Sequence, residues 1–255
     1  MALSRTSLLG QISPTPTGNF GTGNFVTNAF TPPDNSLLVV GVSIIENNGT
    51  TTDPLSAITV SGGGWTYTGG PGVSVSPTSY PTATKIFTAA VGTGASMTLT
   101  IGTGGRAIGE YAVSVVAYTG YNTGAPTGAT ATGSQNGGFS GPPSPFSITL
   151  SAAPASTNEV FAVAGMDKSA AGATPGTAGT WTEVDDLTNT DWGGLESEVR
   201  TGSTSTTVDW ADLRSGGGAL FNVAAVAVEV KVAAAAGPVL PVVVPTAAVT
   251  RAANW

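Results

Sequence analysis

Two stretches of this 255-residue chain, about 31–121 and 146–232, carry the same kinds of segment in the same order. Each opens on an apolar run, residues 36–45 in one and 159–165 in the other. A Gly-rich loop then delivers a Trp-Thr dipeptide, Gly64-Trp65-Thr66 and Thr180-Trp181-Thr182. A short mixed segment follows, then a Thr-Gly turn (Thr93-Gly94, Thr201-Gly202) into an alternating Thr-rich segment, and last a Val-rich run at 111–118 and 220–230. The sequence is therefore an internal duplication. A repeat of two with a period of roughly 120 residues is too few and too long for a solenoid, which stacks at least three units of about 20–50 residues.

The repeated segments read as strands. Between Thr27 and Val232 no i, i+3, i+4, i+7 apolar stripe survives the 36 Gly and 17 Pro of the chain, and the apolar runs are short, β-branched and bounded by turn residues. Each half alone would leave an apolar sheet face in water, so the two are expected to share one core. The expected fold is all-β: a single jelly-roll-like antiparallel β-sandwich built from two duplicated Greek-key halves, spanning 31–232, with extended arms at 1–30 and 233–255. The Val-rich runs are apolar on both parities and suit central strands, while the Thr-rich segments suit outer strands with one wet face. Trp65 and Trp181 are expected to plug the core ends, and residues 119–145, rich in Gly, Ser, Thr and Pro, to form a connection. The C-terminal arm holds Val239, Leu240, Val242, Val243, Val244 and Trp255 around Pro238, Pro241 and Pro245, with Arg251 its one charge. Too apolar to extend into water and too proline-rich for a helix, it is expected to lie on a surface.

Counting excludes several chemistries. With no His and no Cys there is no Ser-His-Asp triad, thiolate nucleophile, disulfide or zinc site of the usual kind. The net charge is −7 and the eight Lys and Arg are scattered singly, which leaves no basic stripe for nucleic acid. The first residues lack the charged and apolar regions of a secretory leader. The apolar stretch 232–249 is interrupted by Gly237 and three prolines, so no membrane span is expected.

Acidic residues concentrate once, in Glu183-Val184-Asp185-Asp186 with Asp191, Glu196 and Glu198 nearby. Asp185, Asp186 and Asp191 could supply hard oxygen ligands to Ca2+, but the spacing matches no EF-hand, and a solvated acidic loop is the expectation; no cofactor is expected. Glu196 and Glu198, two apart on a strand, share a face and could in principle form the carboxylate pair of a glycoside hydrolase, a test that any acidic strand passes. Tyr67, Tyr80, Tyr121 and Trp192 are candidate platforms for sugar rings, against the plainer reading of core or loop packing.

The segments Asn35-Ser36-Leu37-Leu38-Val39-Val40, Gly64-Trp65-Thr66 and Val115–Gly120 leading into Gly124-Ala125-Pro126, together with the repeated second half, resemble the β-sandwich domains of tailed-bacteriophage virion proteins. Such domains occur in capsid decoration proteins, head fibres and minor tail proteins. The resemblance spans about residues 30–232 and brings no catalytic residues. It implies a non-enzymatic structural protein on the particle surface, most simply a capsid decoration or cement protein. Its arms would contact the major capsid protein and copies of itself. The alternative it implies is a tail-tip or fibre module that adheres to host-surface glycans through Tyr67, Tyr121 and Trp192.

Overall fold

Runs such as Leu37-Leu38-Val39-Val40 and Ala224-Ala225-Val226-Ala227-Val228 are apolar on both parities, so a strand made of them needs cover on both faces. The computed structural model supplies that cover. It describes residues 2–12, 22–46, 53–75, 80–136, 145–167, 174–176, 180–189, 193–213 and 222–234.

The first half contains β1 (Ser4–Ile12), β2 (Phe25–Val26), β3 (Ser36–Glu46), β4 (Thr59–Ser61), β5 (Thr68–Val75), β6 (Thr82–Val91), β7 (Thr100–Gly102) and β8 (Ile108–Thr119). The second contains β9 (Thr127–Gln135), β10 (Phe146–Thr149), β11 (Glu159–Met166), β12 (Thr174–Pro175), β13 (Thr182–Asn189), β14 (Gly193–Thr201), β15 (Thr207–Asp212) and β16 (Val223–Val230). In the first half a five-stranded sheet, β1-β8-β3-β6-β5, packs on a three-stranded one, β2-β7-β4. The second half repeats this strand for strand, with β9-β16-β11-β14-β13 on β10-β15-β12. The paired strands of all four sheets run antiparallel.

The chain is thus all-β and sandwich-built, as its sequence implies, but the halves divide the work differently from the expected single sandwich. Each half closes its own. Leu38, Val40, Val42 and Ile44 of β3 face Ile58, Val60, Leu99 and Ile101 inside the first, and Val160, Ala162, Ala164 and Met166 of β11 face Ile148, Val208 and Trp210 inside the second. The opposite faces of the two five-stranded sheets then meet in a third apolar layer, with Leu37, Val39, Ile86 and Val116 against Phe161, Val163, Leu195 and Val226. Burying each such side chain stabilises by roughly 1.5–3 kcal/mol.

In this seam β3 lies over β11, β1 over β13 and β5 over β9. The sheets approach closely where glycine omits a side chain. A Cβ on Gly41 would meet Val163 of the facing sheet at 2.5 Å, and one on Gly165 would collide with the Ser43 and Thr84 hydroxyls.

Three segments expected to be irregular are strands, and one of them, Phe25–Val26 in the expected N-terminal arm, pairs with β7. Of the other two, Ser4–Ile12, assigned to the N-terminal arm, pairs with β8, and Thr127–Gln135, assigned to the connection, pairs with β16. Both are the first strand of their half and both lie at a sheet edge. There, small polar residues meet water on one side while the backbone pairs on the other.

Candidate functional site

The polar interior of the second sandwich departs most from a plain core. In β14 the odd positions Leu195, Ser197 and Val199 face the seam, and the even ones, Glu196, Glu198 and Arg200, face inward. The neighbouring strand β13 pairs Glu183 with Glu198 and Asp186 with Glu196, and a bulge between Glu183 and Asp185 absorbs one extra residue. Such a bulge locally changes which face successive side chains take. It brings Glu183 and Asp186 beside the two buried glutamates and turns Asp185 to the seam, where the Ser114 hydroxyl donates to its Oδ2 at 2.6 Å.

Glu196 and Glu198 are both fully buried. Neither carboxylate oxygen of Glu196 has a hydrogen-bond partner among the described residues, whereas Glu198 Oε2 accepts from the Gly176 amide at 3.0 Å. The Arg200 guanidinium donates to the carbonyls of Thr207 and Ser205, both at 2.6 Å, and lies 4.4 Å from the centre of the Trp181 ring. The indole N–H of Trp181 donates to Asp209 Oδ1 at 3.0 Å. Among the described residues, one guanidinium therefore serves a neighbourhood of five carboxyl groups, counting Glu183, Asp186, Glu196, Glu198 and Asp209.

The electrostatics follow from that imbalance. Burial, reinforced by the charges of Glu183, Asp186, Glu198 and Asp185, pushes the Glu196 carboxyl up to about 10. Burial pushes Glu198 up to about 9; the Gly176 amide and Arg200 oppose the rise, and Asp209 adds to it. Asp185 is raised by burial against the stabilising Ser114 and Ser197 hydroxyls, and Glu183 by burial and its two aspartate neighbours.

The first sandwich provides an internal comparison. Its β5–β6 pair carries a bulge at the corresponding place, between Gly69 and Gly72, with Gly69 opposite Phe87 and Gly72 opposite Lys85. Matching the bulges equates Glu183 with Gly69, Asp186 with Gly72, Glu196 with Lys85 and Glu198 with Phe87. There the Lys85 ammonium simply sits 5.0 Å over the Phe87 ring. Four carboxyl groups thus occupy positions where the duplicate half has two glycines, a lysine and a phenylalanine.

The other sequence candidates are scattered. Asp185 and Asp186 point to opposite faces, and no group of three acids among the described residues comes close enough to hold a metal ion; Asp191 lies outside the described residues. These aspartates belong to strand β13, not to a solvated loop, because β14 offers them a pairing edge. Glu196 and Glu198 do share a face, and both are buried in the interior of the second sandwich. Tyr121 is 8% exposed and packs in the seam layer. Tyr67 is half-buried against the first core, with its hydroxyl buried and burial pushing its pKa up to about 12. Tyr80 holds a left-handed turn conformation, φ 55°, before β6. Trp192 and the arm residues Val239, Leu240, Val242, Val243, Val244 and Trp255 lie outside the described residues.

Sequence reasoning missed Arg200, Asp209 and the burial of the acids. The available signal was the period-two alternation Glu196-Ser197-Glu198-Val199-Arg200, which puts three ionisable groups on one side of a strand.

A second feature sits where the seam ends. A cavity of about 600 Å³ is lined by Ala2, Leu3, Glu159, Val232 and Ala234 among others. Glu159 accepts from the Tyr118 hydroxyl at 2.6 Å and from Arg5 at 3.2 Å. Gly120, at φ 73°, joins the halves here: its carbonyl accepts from the Ala233 amide at 2.8 Å, and the Ala2 carbonyl occupies the space a Cβ would need.

No protein-family model, no curated protein and no solved structure matches this chain.

Proposed function

We propose that this chain is a structural virion protein of a tailed bacteriophage that decorates the capsid surface, its apolar C-terminal segment contacting the major capsid protein and neighbouring copies of itself. The observation that carries this reading is the convergence of both ends of the described chain at Gly120. From that fixed point at the rim of the seam, the sequence continues beyond Ala234 into 21 residues with one charge, Arg251. A double sandwich whose described chain ends meet at one point, followed in the sequence by an apolar segment, suits attachment. The likeness of the Asn35–Val40, Gly64–Thr66 and Val115–Gly120 segments to phage sandwich domains supports the particle as the place of attachment. The adhesion alternative draws less support, since Tyr121 is buried and Tyr67 half-buried.

The test is co-sedimentation with tailed-phage capsids stripped of their decoration. The full chain is expected to bind, and deletion of residues 235–255 to abolish binding while the urea midpoint of the body stays unchanged. Full decoration by the truncated chain overturns the reading.

A further inference from the structure

The carboxyl groups inside the second sandwich need an account, because a buried charge without a partner is among the most costly features a core can carry. Metal does not provide one, since no three acids converge among the described residues. Arg200 relieves only part of it: its charge lowers Glu198 without cancelling the effect of burial, while its guanidinium donates to the Thr207 and Ser205 carbonyls. Among the described residues, the way left to remove charge from Glu196 and Glu198 is a proton on each. We propose that Glu196 and Glu198 form a buried proton-binding pair that is loaded in the folded protein, and that deprotonation releases the β13 edge strand from the second sandwich.

The geometry supports each part. Glu196 is fully buried, with both oxygens unpartnered among the described residues. Facing it are Glu183 and Asp186 across β13, Glu198 and Arg200 along β14, and Asp209 from β15 near Glu198, with Asp185 beyond the bulge. Ionisation would thus place a new negative charge among negative neighbours, with one cation in reach among the described residues. The strand that can yield is β13: among the described strands it pairs only with β14, and its ladder is already interrupted by the bulge. The first sandwich lacks the device, because Gly69, Gly72, Lys85 and Phe87 hold the matching positions.

The direction follows from linkage. Both groups sit above the unfolded carboxylate value of 4.5. Between that value and their folded values the native state holds more protons than the unfolded one, so stability falls as pH rises. Their contribution is present in full below the unfolded value and is lost as pH climbs toward about 9 to 10.

Two measurements on the full chain test the pair independently of any role on a particle. Infrared spectra of the folded protein at about pH 8, far above an ordinary carboxylate pKa, are expected to show a protonated-carboxyl stretch that the E196Q/E198Q variant lacks. Absence of that band in the wild type overturns the proposal, whatever the variant does. Amide exchange, corrected for intrinsic rates, is expected to show opening of β13–β14 increasing by about tenfold or more for one pH unit or more of titration up to about pH 10. The β5–β6 pair should not follow, nor should β13–β14 in E196Q/E198Q. Equal increases in both hairpins, or an increase that persists in the variant, would refute the release of β13.

Discussion

Ser114 of the first sandwich donates its hydroxyl hydrogen to Asp185 of the second across 2.6 Å, and shares a 2.9 Å contact with Ser197. Apolar layers slide; this bond fixes the register of one sheet on the other. A hydrogen bond to a charged acceptor contributes about 1.5–3 kcal/mol, reduced here because Asp185 is only half-buried. Ser114→Ala is expected to lower unfolding stability by roughly 1–2 kcal/mol and to raise the Asp185 pKa further, as read by urea titration and carboxyl NMR. An unchanged pKa would remove the register role.

The seam also depends on missing atoms. Gly165→Ala places a methyl against the Ser43 and Thr84 hydroxyls, backed by the facing sheet, and is expected to cost about 1–3 kcal/mol, the usual range for overpacking a core. Gly92→Ala, where an added Cβ would have nothing within 4 Å, is the control and should stay within about 0.5 kcal/mol. Thermal unfolding of both variants checks this, and similar losses in the two would argue against close sheet contact.

Glu229 behaves opposite to Glu196. It accepts from the amides of Ala129 at 2.8 Å and Ala155 at 3.1 Å and from Asn158 Nδ2 at 2.6 Å. Despite burial, these donors and nearby Lys231 hold its carboxyl below the ordinary value. Its contribution is therefore present above the unfolded carboxylate range and lost as pH falls through the folded value. Glu229→Gln is expected to cost about 1–3 kcal/mol at neutral pH and much less in acid, where the wild type is itself protonated. Denaturation series at both pH values decide it.

Arg200 ties β14 to the 205–207 segment and covers Trp181. Arg200→Met keeps much of the apolar stem but strands two carbonyls, for an expected loss of about 2–4 kcal/mol. Trp181 fluorescence should shift with it. Arg200→Lys should recover only part, since an ammonium lacks the planar fork.

The duplication, the all-β class and the two-faced burial of the Val-rich strands were legible, because each rests on residue order or period alone. The edge strands β1 and β9 were not. Ser-Arg-Thr-Ser and Thr-Gly-Ala-Thr look like linker until a neighbour offers backbone partners, and both lie outside the repeat as read from the sequence. Glu196 and Glu198 were legible as sharing a face but not as a buried one, since acids ordinarily stay in water. The bulge at Glu183 and Asp185 needed the partner strand to be counted against it, and so the grouping of the acids stayed hidden.

In the seam, β3 meets its own counterpart β11, β1 meets the counterpart of β5, and β5 meets the counterpart of β1. That is the pattern of an isologous contact, in which one patch is complementary to itself through a two-fold rotation. The chain is in effect a homodimer on a single backbone. Such closed symmetry saturates its own interface, so the broad sheets that joined the halves cannot recruit a third. Any further contact is left to the outer three-stranded sheets and the strand edges.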